Sequence, residues 1–436
     1  MKPLNIGLLG FGTVGSGVFN VLARNHSEIA RRAGRDMAVS HISVRSVARV
    51  QALVGSAAKV VSDPFEIVRS PDVDIVCELI GGTTLAKELV LAAISEGKHV
   101  VTANKALLAV HGNDIFAAAR AKGVMVMFEA AVAGGIPIIK ALREGLTANR
   151  IEWVAGIING TTNFILSEMF DKGLAFADVL AEAQRLGYAE SDPTFDVEGI
   201  DAAHKLTILS AIAFGIPVQF DRAYTEGITQ LTREDIAYAD KLGYRIKLLG
   251  IAKRVAKGIE LRVHPTLVPV KATMANVNGA MNAVLVKGDA VGLSLYSGRG
   301  AGSEPTASAV IADLVDVART HLADAAHRVP HLAFQADSLA DTLILPMADI
   351  ETAYYLRLRV VDEPGVLANL TRILADASIS IDAILQKEPA EGANQTDVIV
   401  LTHTTREGSM NAALAAMQAL KTVIAPIVRI RLEELV

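Results

Sequence analysis

A glycine-rich turn near the start of the chain constrains its fold most strongly. Apolar residues from Leu4 to Leu9 predict a strand, and the stretch 14–24 predicts a helix. Between them lies the sequence Gly10-Phe11-Gly12-Thr13-Val14-Gly15. In this pattern the first glycine permits a tight turn, the second lets a pyrophosphate approach the backbone, and the third lets the helix pack closely. The turn therefore predicts a dinucleotide-binding site.

The first part of the chain alternates β-branched strand candidates with helical patterns. Further strands are predicted at 42–44, 73–77, 99–102 and 124–128, and helices at 85–95 and 114–121. Continuous apolar strands that alternate with helices are typical of a parallel sheet covered on both faces. We therefore expect an α/β, Rossmann-type nucleotide domain here.

The residue after the second predicted strand bears on the choice of cofactor. NAD-binding sites usually place an acidic residue there, where it binds the ribose 2′-hydroxyl. This chain has Arg45, with Arg49 nearby, and a guanidinium favours the 2′-phosphate of NADP. The sequence thus favours NADP over NAD, and a solvated surface arginine is the alternative interpretation.

Composition excludes several classes of partner. The 436 residues carry 42 Lys and Arg against 47 Asp and Glu, so no basic excess indicates nucleic-acid binding. The apolar stretch 206–220 is interrupted by Gly215 and Pro217 and is too short for a membrane span. One Cys excludes an intrachain disulfide, and the N-terminus shows no signal-peptide pattern. We expect a cytoplasmic protein without a membrane or nucleic-acid partner.

Two more domains are predicted after the nucleotide domain. Strand candidates lie at 151–158, 245–254, 259–267, 283–287 and 291–296, and helices at 162–170, 176–186 and 200–214. This mixture predicts an α+β domain with an open mixed sheet. After a linker at about 323–350, the order strand, helix, strand, strand, helix, strand predicts a ferredoxin-like domain at 351–436.

Charged residues in the middle of the chain mark a candidate active site. Lys105 follows the strand at 99–102, at the carboxyl edge where open parallel sheets bind their ligands. Asp201 and Lys205 are four residues apart, so they share one face of a helix that is otherwise mostly apolar. A charged pair on a buried helix needs a functional reason, whereas a surface salt bridge is the simpler alternative. An acidic loop at 190–196 precedes this helix.

Taken in order, these motifs resemble homoserine dehydrogenase. The matching stretches are 10–17, 78–82, 97–105, 129–137, 159–163, 186–190, 192–197 and 201–206, within residues 1 to about 320. The sequence Asp362-Glu363-Pro364-Gly365-Val366-Leu367 is similar to the strand-to-helix loop of an ACT domain, an amino-acid-sensing module. The chain thus resembles the monofunctional bacterial homoserine dehydrogenases that carry a C-terminal ACT domain.

The resemblance implies reversible, NAD(P)H-dependent reduction of L-aspartate 4-semialdehyde to L-homoserine, in threonine, methionine and isoleucine biosynthesis. It implies that Lys205 donates the proton to the aldehyde oxygen and that Lys105 lies near the nicotinamide, although either lysine could be the donor. The residues it implies in substrate binding are Glu190, Asp201, Asp196 and Gly187. Gly187 and Gly302 are also implied in cofactor binding.

The resemblance also implies a monovalent cation site, such as one for sodium. Its ligands would be Glu129, Val132, Gly134 and Ile136, largely through backbone carbonyls. Ala133 stands where many relatives have glycine, which is a departure from the family pattern within this loop.

The same resemblance makes the nucleotide domain discontinuous. It would comprise 1–136 and about 303–322, with the catalytic and dimerisation domain at 137–302. Ser303 is the predicted N-cap of the returning helix, with Pro305 in its first turn. Capping alone would also explain this glycine-rich segment.

The C-terminal module is expected to be regulatory. Asp362, Pro364 and Gly365 are its predicted effector residues, because Pro364 fits a first helical turn and Gly365 leaves room for a ligand. The resemblance suggests threonine as the effector and a homodimer or homotetramer as the assembly. We expect truncation before Ala353 to leave catalysis largely intact, and a dimerisation tail without an effector is the alternative.

Two other functions compete with this interpretation. A semialdehyde dehydrogenase that forms an acyl-enzyme needs a cysteine nucleophile, and Cys77 has the surroundings of a small buried apolar residue. A catalytically inactive ligand sensor is opposed by the intact set of Lys105, Asp201 and Lys205.

Overall fold

The computed structural model describes residues 3–386 and 394–435. Its strands are β1 (Leu4–Leu9), β2 (Met37–Ser43), β3 (Lys59–Val61), β4 (Ile75–Glu78), β5 (His99–Thr102), β6 (Val126–Met127), β7 (Ile151–Ile157), β8 (Tyr224–Thr225), β9 (Tyr244–Val255), β10 (Gly258–Pro269), β11 (Met281–Gly288), β12 (Gly292–Arg299), β13 (Glu351–Val361), β14 (Ile381–Gln386), β15 (Gln395–Thr402), β16 (Thr405–Arg406) and β17 (Val428–Leu432). Its helices are α1 (Thr13–Arg24), α2 (His26–Ala33), α3 (Val47–Val54), α4 (Pro64–Arg69), α5 (Thr84–Ser95), α6 (Lys105–Lys122), α7 (Ile138–Lys140), α8 (Gly160–Lys172), α9 (Phe176–Arg185), α10 (Thr194–Val197), α11 (Ile200–Phe214), α12 (Arg233–Lys241), α13 (Ser303–Thr320), α14 (Val366–Asp376) and α15 (Glu407–Gln418).

The chain forms two compact units. The first contains Met1–Gly160, Ile200–Ala223 and Ala280–Thr342, and the second contains Thr161–Gly199, Tyr224–Gly279 and Leu343–Val436. The chain passes between the units several times, so neither unit is a continuous stretch of sequence.

A parallel sheet forms the centre of the first unit. Its six strands follow the order β3-β2-β1-β4-β5-β6, and every neighbouring pair is parallel. The order reverses between β1 and β4, which is the doubly wound arrangement that binds ligands at the carboxyl ends of the strands on either side of the reversal. The predicted Rossmann-type fold is confirmed.

Several elements of this unit differ in extent from the prediction. The helix predicted at 114–121 is only the C-terminal half of α6, and the strand predicted at 42–44 is the end of β2. Polar residues such as His111, Asn113 and Ser40 interrupt the apolar pattern in the missed parts, although the backbone continues regularly. The helices α2, α3 and α4 were not predicted; they have only 8, 8 and 6 residues, which is too short for a clear helical period.

Helix α13 packs against the nucleotide-binding core. Its Val310 and Leu314 are fully buried in the same apolar cluster as Ile6 and Val18. This packing is the one expected of a discontinuous nucleotide domain, whose bounds stay a prediction.

The first unit also contains a second set of strands and a deeply buried helix. Strands β7, β11 and β12 form an antiparallel group with β11 in the middle. In α11 every residue from Asp201 to Phe214 is buried, as the nearly continuous apolar sequence predicts. Among the described residues, no helix is both long and apolar enough to cross a membrane.

The second unit contains a mixed sheet. Strands β9 and β10 form a long antiparallel hairpin, and β17 pairs parallel with β10 and antiparallel with β13. The C-terminal strands follow the order β17-β13-β15-β14, and α14 and α15 contribute to one apolar core with them. This βαββαβ arrangement confirms the predicted ferredoxin-like domain. Its last strand, β17, also pairs with β10, so the domain and the β9–β10 hairpin share one sheet.

Candidate active site

The glycine-rich turn between β1 and α1 has the geometry of a dinucleotide-binding loop. Gly10 has a φ of +100°, and a Cβ there would lie 2.9 Å from the Leu79 carbonyl oxygen. A Cβ on Gly15 would lie 2.3 Å from the Gly10 carbonyl oxygen. A Cβ on Gly12, by contrast, would meet no atom within 4 Å. The protein's own packing requires the outer glycines, whereas the open space at Gly12 is where a pyrophosphate would approach.

An open cleft of about 1170 Å³ extends from this turn along the carboxyl ends of the strands. It is lined by Gly10, Phe11, Gly12 and Thr13, by residues 43–46 and Arg49 after β2, and by Leu79, Ile80 and Gly81 after β4. Arg45 and Arg49 are exposed on its wall. The structure therefore places Arg45 where the sequence predicted it.

The start of α13 adjoins the same turn. Gly302 has a φ of +119° and is the N-cap residue, so the predicted cap at Ser303 is wrong by one position. Ser303 instead donates its hydroxyl to the Thr13 carbonyl oxygen at 2.7 Å. A Cβ on Gly17 would lie 2.6 Å from the Ser303 hydroxyl oxygen, so a glycine at this position permits the contact.

The predicted charged residues of α6 and α11 meet in one cluster. Asp201 accepts from the Lys205 Nζ at 2.5 Å and lies 3.0 Å from the Lys105 Nζ. Lys205 also donates to the Ile158 carbonyl oxygen at 2.7 Å, and the Asn159 amide donates to Asp201 at 2.8 Å. Lys105 reaches the cluster from the first turn of α6, directly after β5. The Asp201–Lys205 pair predicted from its i,i+4 spacing is therefore buried. Lys105 adds a second lysine to this cluster.

The carboxylate at the centre of this cluster is ionised. Burial alone would raise the pKa of Asp201, but Lys205 and Lys105, with the Asn159 bond, hold that pKa well below its usual range. His204 lies beside it on α11, packed edge-on against Phe220, and burial lowers the pKa of this imidazole to about 4. At neutral pH the cluster therefore contains a carboxylate, two lysines and a neutral imidazole.

Three predicted substrate residues belong to the second unit, on the segment that connects α9 to α11. Gly187 has a φ of +77°, which favours glycine there. Glu190 has an exposed side chain, and its carbonyl oxygen accepts from the Gln184 amide at 3.0 Å. Asp196 is half-buried in the short helix α10, which was not predicted.

The predicted cation ligands lie in one buried loop. They are Glu129, Val132, Gly134 and Ile136. The Glu129 carboxylate accepts from the backbone N–H groups of Ile139 and Lys140, each at 2.8 Å, so it caps α7. Among the described residues no group of three or more His, Cys, Asp and Glu side chains could hold a metal. The cation site itself stays a prediction.

The residue that departs from the family pattern in this loop has unusual backbone geometry. Ala133 has a φ of +54°, in the left-handed region that favours glycine. A glycine in relatives would adopt this conformation without strain. Ala133 adopts it at a modest energetic cost.

The predicted effector residues lie between β13 and α14. Gly365 has a φ of +92° and is the N-cap of α14, so Pro364 precedes the helix and is not in its first turn. The backbone N–H of Asp362 donates to the Asn394 carbonyl oxygen at 2.8 Å.

Some residues of the site could not be predicted from the sequence. Asn159 belongs to a recognised motif, but no role was assigned to it, and the Ile158 carbonyl has no sequence signal at all. Cys77 is fully buried in β4, where burial raises the pKa of its thiol far above the physiological range. This removes the acyl-enzyme alternative.

Comparison with known proteins identifies the family. Three family models match: the homoserine dehydrogenase NAD-binding domain at 10–129, homoserine dehydrogenase at 137–315 and the ACT domain at 354–421. A homoserine dehydrogenase of Pseudomonas aeruginosa is 62% identical over 435 residues, 100% of both chains. The solved homoserine dehydrogenase from Thiobacillus denitrificans is 69% identical, with a TM-score of 0.95 over 100% of this chain and 99% of that one. An archaeal homoserine dehydrogenase solved with NADPH is 26% identical, with a TM-score of 0.63 over 74% of this chain and 99% of that one. With its Rossmann turn, lysine–aspartate cluster and ACT module, the chain belongs to the homoserine dehydrogenase family, a family of NAD(P)-dependent oxidoreductases.

Proposed function

We propose that Lys205 donates a proton to the aldehyde oxygen of L-aspartate 4-semialdehyde and that Lys105 orients the same carbonyl group. The observation that carries this proposal is the Asp201 carboxylate, which is within 3.0 Å of both ammonium groups. The buried Asp201 carboxylate favours the protonated form of Lys205, so the Lys205 ammonium is available as a proton donor at neutral pH. Two cations beside the carbonyl oxygen stabilise the negative charge that develops there. When bound, the nicotinamide supplies the hydride.

The acidic residues of the second unit are the proposed partners of the substrate's ammonium group. Glu190 and Asp196 lie on the segment that leads into α11, and their carboxylates suit an α-amino group. Gly187 leaves its backbone accessible to substrate or cofactor, because a Cβ there would meet no atom within 4 Å. We assign Asp201 to substrate binding mainly through the two lysines that it orients.

NADPH is the proposed preferred cofactor. Arg45 and Arg49 line the cleft after β2, at the position where an acid would select NAD. Gly302 is proposed to contact the cofactor, because the helix that it caps is bonded to the phosphate-binding turn.

A monovalent cation such as sodium is proposed for the loop that contains Glu129 and Gly134. A homodimer or homotetramer is the proposed assembly, and the cytoplasm is the proposed location. Strand β12 ends the strand order among the described residues, and its Leu293 and Leu295 are exposed, which suits an interface between copies.

Threonine is the proposed effector of the ACT domain, bound near Asp362 and Gly365. The open geometry at Gly365, where a Cβ would meet no atom within 4 Å, leaves room for a ligand. Inhibition by threonine of the full chain, reduced in Asp362→Ala, would support this assignment.

Two lysine variants test the catalytic proposal. Lys205→Met should lower turnover by about 10²- to 10⁴-fold, the usual loss for a general acid, with little change in cofactor affinity. Lys105→Met should lower turnover less, and Lys59→Met is a matched control because Lys59 lies in an exposed pair with Glu66. Turnover is measured by NADPH oxidation with the semialdehyde. If Lys205→Met stays within a few-fold of the wild type while Lys105→Met does not, Lys105 is the donor.

A further inference from the structure

A buried glutamate lies behind the cofactor cleft and takes no part in the proposed chemistry. Glu78 ends β4 and is fully buried. Its Oε1 accepts from the backbone N–H groups of Ile80 and Gly81, each at 3.1 Å. Those two residues line the cleft. One oxygen of Glu78 therefore fixes the loop on which the cofactor would rest.

The other oxygen of Glu78 is connected to Lys105 through hydrogen bonds. Oε2 accepts from the Thr102 hydroxyl at 2.7 Å, and the Thr102 oxygen accepts from the Asn104 backbone N–H at 3.0 Å. Asn104 caps α6 by accepting from the Leu107 backbone N–H at 3.0 Å. The next residue is Lys105, the first residue of α6. A continuous set of bonds thus connects Glu78 to the backbone that carries Lys105.

The same asparagine closes the set into a loop. The Asn104 side-chain amide donates to the Gly82 carbonyl oxygen at 2.7 Å. The ends of β4 and β5 are therefore tied both by a carboxylate and by an amide. Parallel strands of this sheet already pair through their backbones, so these side-chain bonds are not required for strand pairing.

A buried carboxylate is costly unless it serves a purpose. Burial raises the pKa of Glu78, and the bonds from Thr102 and from the 80–81 backbone oppose that shift. An apolar residue of similar size would fill the same space without the desolvation penalty. The carboxylate is therefore better explained by the groups that it orients than by the stability of the core.

We propose that Glu78 is a positioning residue that sets the place of Lys105 through Thr102 and Asn104, and the shape of the cofactor loop through Ile80 and Gly81. This inference rests on the proposed role of Lys105. Oε1 holds the cofactor loop and Oε2 holds the path to Lys105, so substitutions can perturb one role without the other.

Thr102→Val interrupts only the path to Lys105. Valine has nearly the shape of threonine but cannot donate to Glu78 or accept from Asn104. A small displacement of a catalytic group costs much of its effect, so we expect kcat to fall about tenfold. The Kd of NADPH, measured by nicotinamide fluorescence, should stay within about threefold, because the bonds of Ile80 and Gly81 are kept. Thr102→Ser keeps the hydroxyl and should restore kcat to near the wild-type value.

Glu78→Gln gives a second, independent variant in case Thr102→Val does not fold. Its amide oxygen keeps the bonds from Ile80 and Gly81, whereas its NH₂ group faces the Thr102 oxygen as a donor. The same split, a lower kcat with nearly unchanged NADPH affinity, is expected. Thr352→Val is the matched control, because it removes a buried hydroxyl that donates to the Leu432 carbonyl oxygen in the other unit.

The outcomes separate this inference from the proposed role of Lys105. Wild-type kcat in a folded Thr102→Val or Glu78→Gln enzyme, beside a slow Lys105→Met enzyme, would overturn the inference alone. A Lys105→Met enzyme with wild-type kcat would overturn the proposed role itself. A lower melting temperature with unchanged kcat, or a Thr102→Ser enzyme as slow as Thr102→Val, would show that Glu78 and Thr102 serve only the stability of the core.

Discussion

Replacing the central carboxylate by an amide tests the buried cluster most directly. Asp201→Asn keeps the size of the side chain but removes its charge, so the Lys205 ammonium loses the partner that lies 2.5 Å away. The Lys205 side chain is 11% exposed and that of Lys105 is 35% exposed. The loss of unfolding free energy in Asp201→Asn should therefore come mainly from Lys205. The more exposed pair between Asp201 and Lys105 contributes little to stability.

The size of this loss in unfolding free energy depends on the protonation state of Lys205 in the folded variant. If the ammonium cannot be tolerated without Asp201, the variant folds with a neutral amine. Removing a proton from a lysine of ordinary pKa at pH 7 costs about 1.36 kcal/mol per pH unit over about 3.4 units, or about 4.6 kcal/mol. This is an upper limit, and it agrees with the roughly 3–5 kcal/mol observed when one partner of a buried pair is removed.

The cost should also depend on pH, with a defined sign. In the variant the folded-state pKa of Lys205 is depressed relative to the unfolded chain, so the unfolded chain binds more protons and stability rises with pH. At pH 9 the same calculation gives a cost of about 1.9 kcal/mol. A cost that shrinks between pH 7 and pH 9 is therefore the signature of a buried lysine that has lost its carboxylate partner.

Trp153 provides the assay. It is the only tryptophan of the chain, and it is buried on β7, in the same unit as Asp201. Urea unfolding followed by its fluorescence at pH 7, 8 and 9 gives the free energy of unfolding of wild type and variant. Asp178→Asn, at the start of α9, is the surface control. A loss of unfolding free energy below about 1 kcal/mol at pH 7, or one that is equal at pH 7 and pH 9, would show that Lys205 tolerates its charge without Asp201.

Three further outcomes are expected. Arg45→Asp should raise the KM of NADPH at least about tenfold while changing that of NADH less, and equal losses for the two cofactors would contradict the proposed 2′-phosphate contact. Burial, reinforced by nearby cations, lowers the pKa of His99 and His331 to about 4, so the free energy of unfolding should fall as pH drops from 6.5 towards 4, by up to about 1.4 kcal/mol per pH unit for each imidazole. His99→Gln should weaken that dependence in thermal unfolding experiments, and an unchanged slope would show that other groups cause it. The structure changes one expectation from the sequence, that truncation before Ala353 leaves catalysis largely intact. The truncated chain should instead lose most of its activity and melt at a lower temperature, because β10 loses β17 and Arg262 loses Glu433. A fully active truncated enzyme would contradict this revised prediction.

Local patterns in the sequence predicted those parts of the site that depend on neighbours along the chain. The glycine turn could be predicted because Gly10 needs a positive φ and Gly15 lies against the Gly10 carbonyl oxygen, and both features depend on neighbours along the chain. The Asp201 and Lys205 pair could be predicted because four residues make about one helical turn. The caps were less accurate: both Ser303 and Pro364 were placed in the wrong helical position, since a glycine with positive φ begins each helix one residue away.

Long-range hydrogen bonds could not be predicted in the same way. Glu78 and Thr102 each end a strand, and both stretches were recognised as family motifs. Their contact depends on β4 and β5 being neighbours in register, with Glu78 opposite Thr102. Sequence periodicity indicates which face of a strand is buried, but it does not indicate which residue of another strand is its partner.

The attachment of the C-terminal module was missed for a related reason, and it changes how that module can act. Arg431 alternates with apolar residues on β17, a pattern that usually predicts a solvent-facing side chain, yet it is fully buried. It donates to Glu407 of the module at 2.9 and 2.6 Å and to Glu226, next to β8, at 2.8 Å. A ligand that shifts β17 must therefore move Glu226 as well or break its 2.8 Å bond with the buried Arg431 guanidinium. The module is joined to the rest of its unit by strand pairing and buried charge, so its influence does not depend on the covalent linker alone.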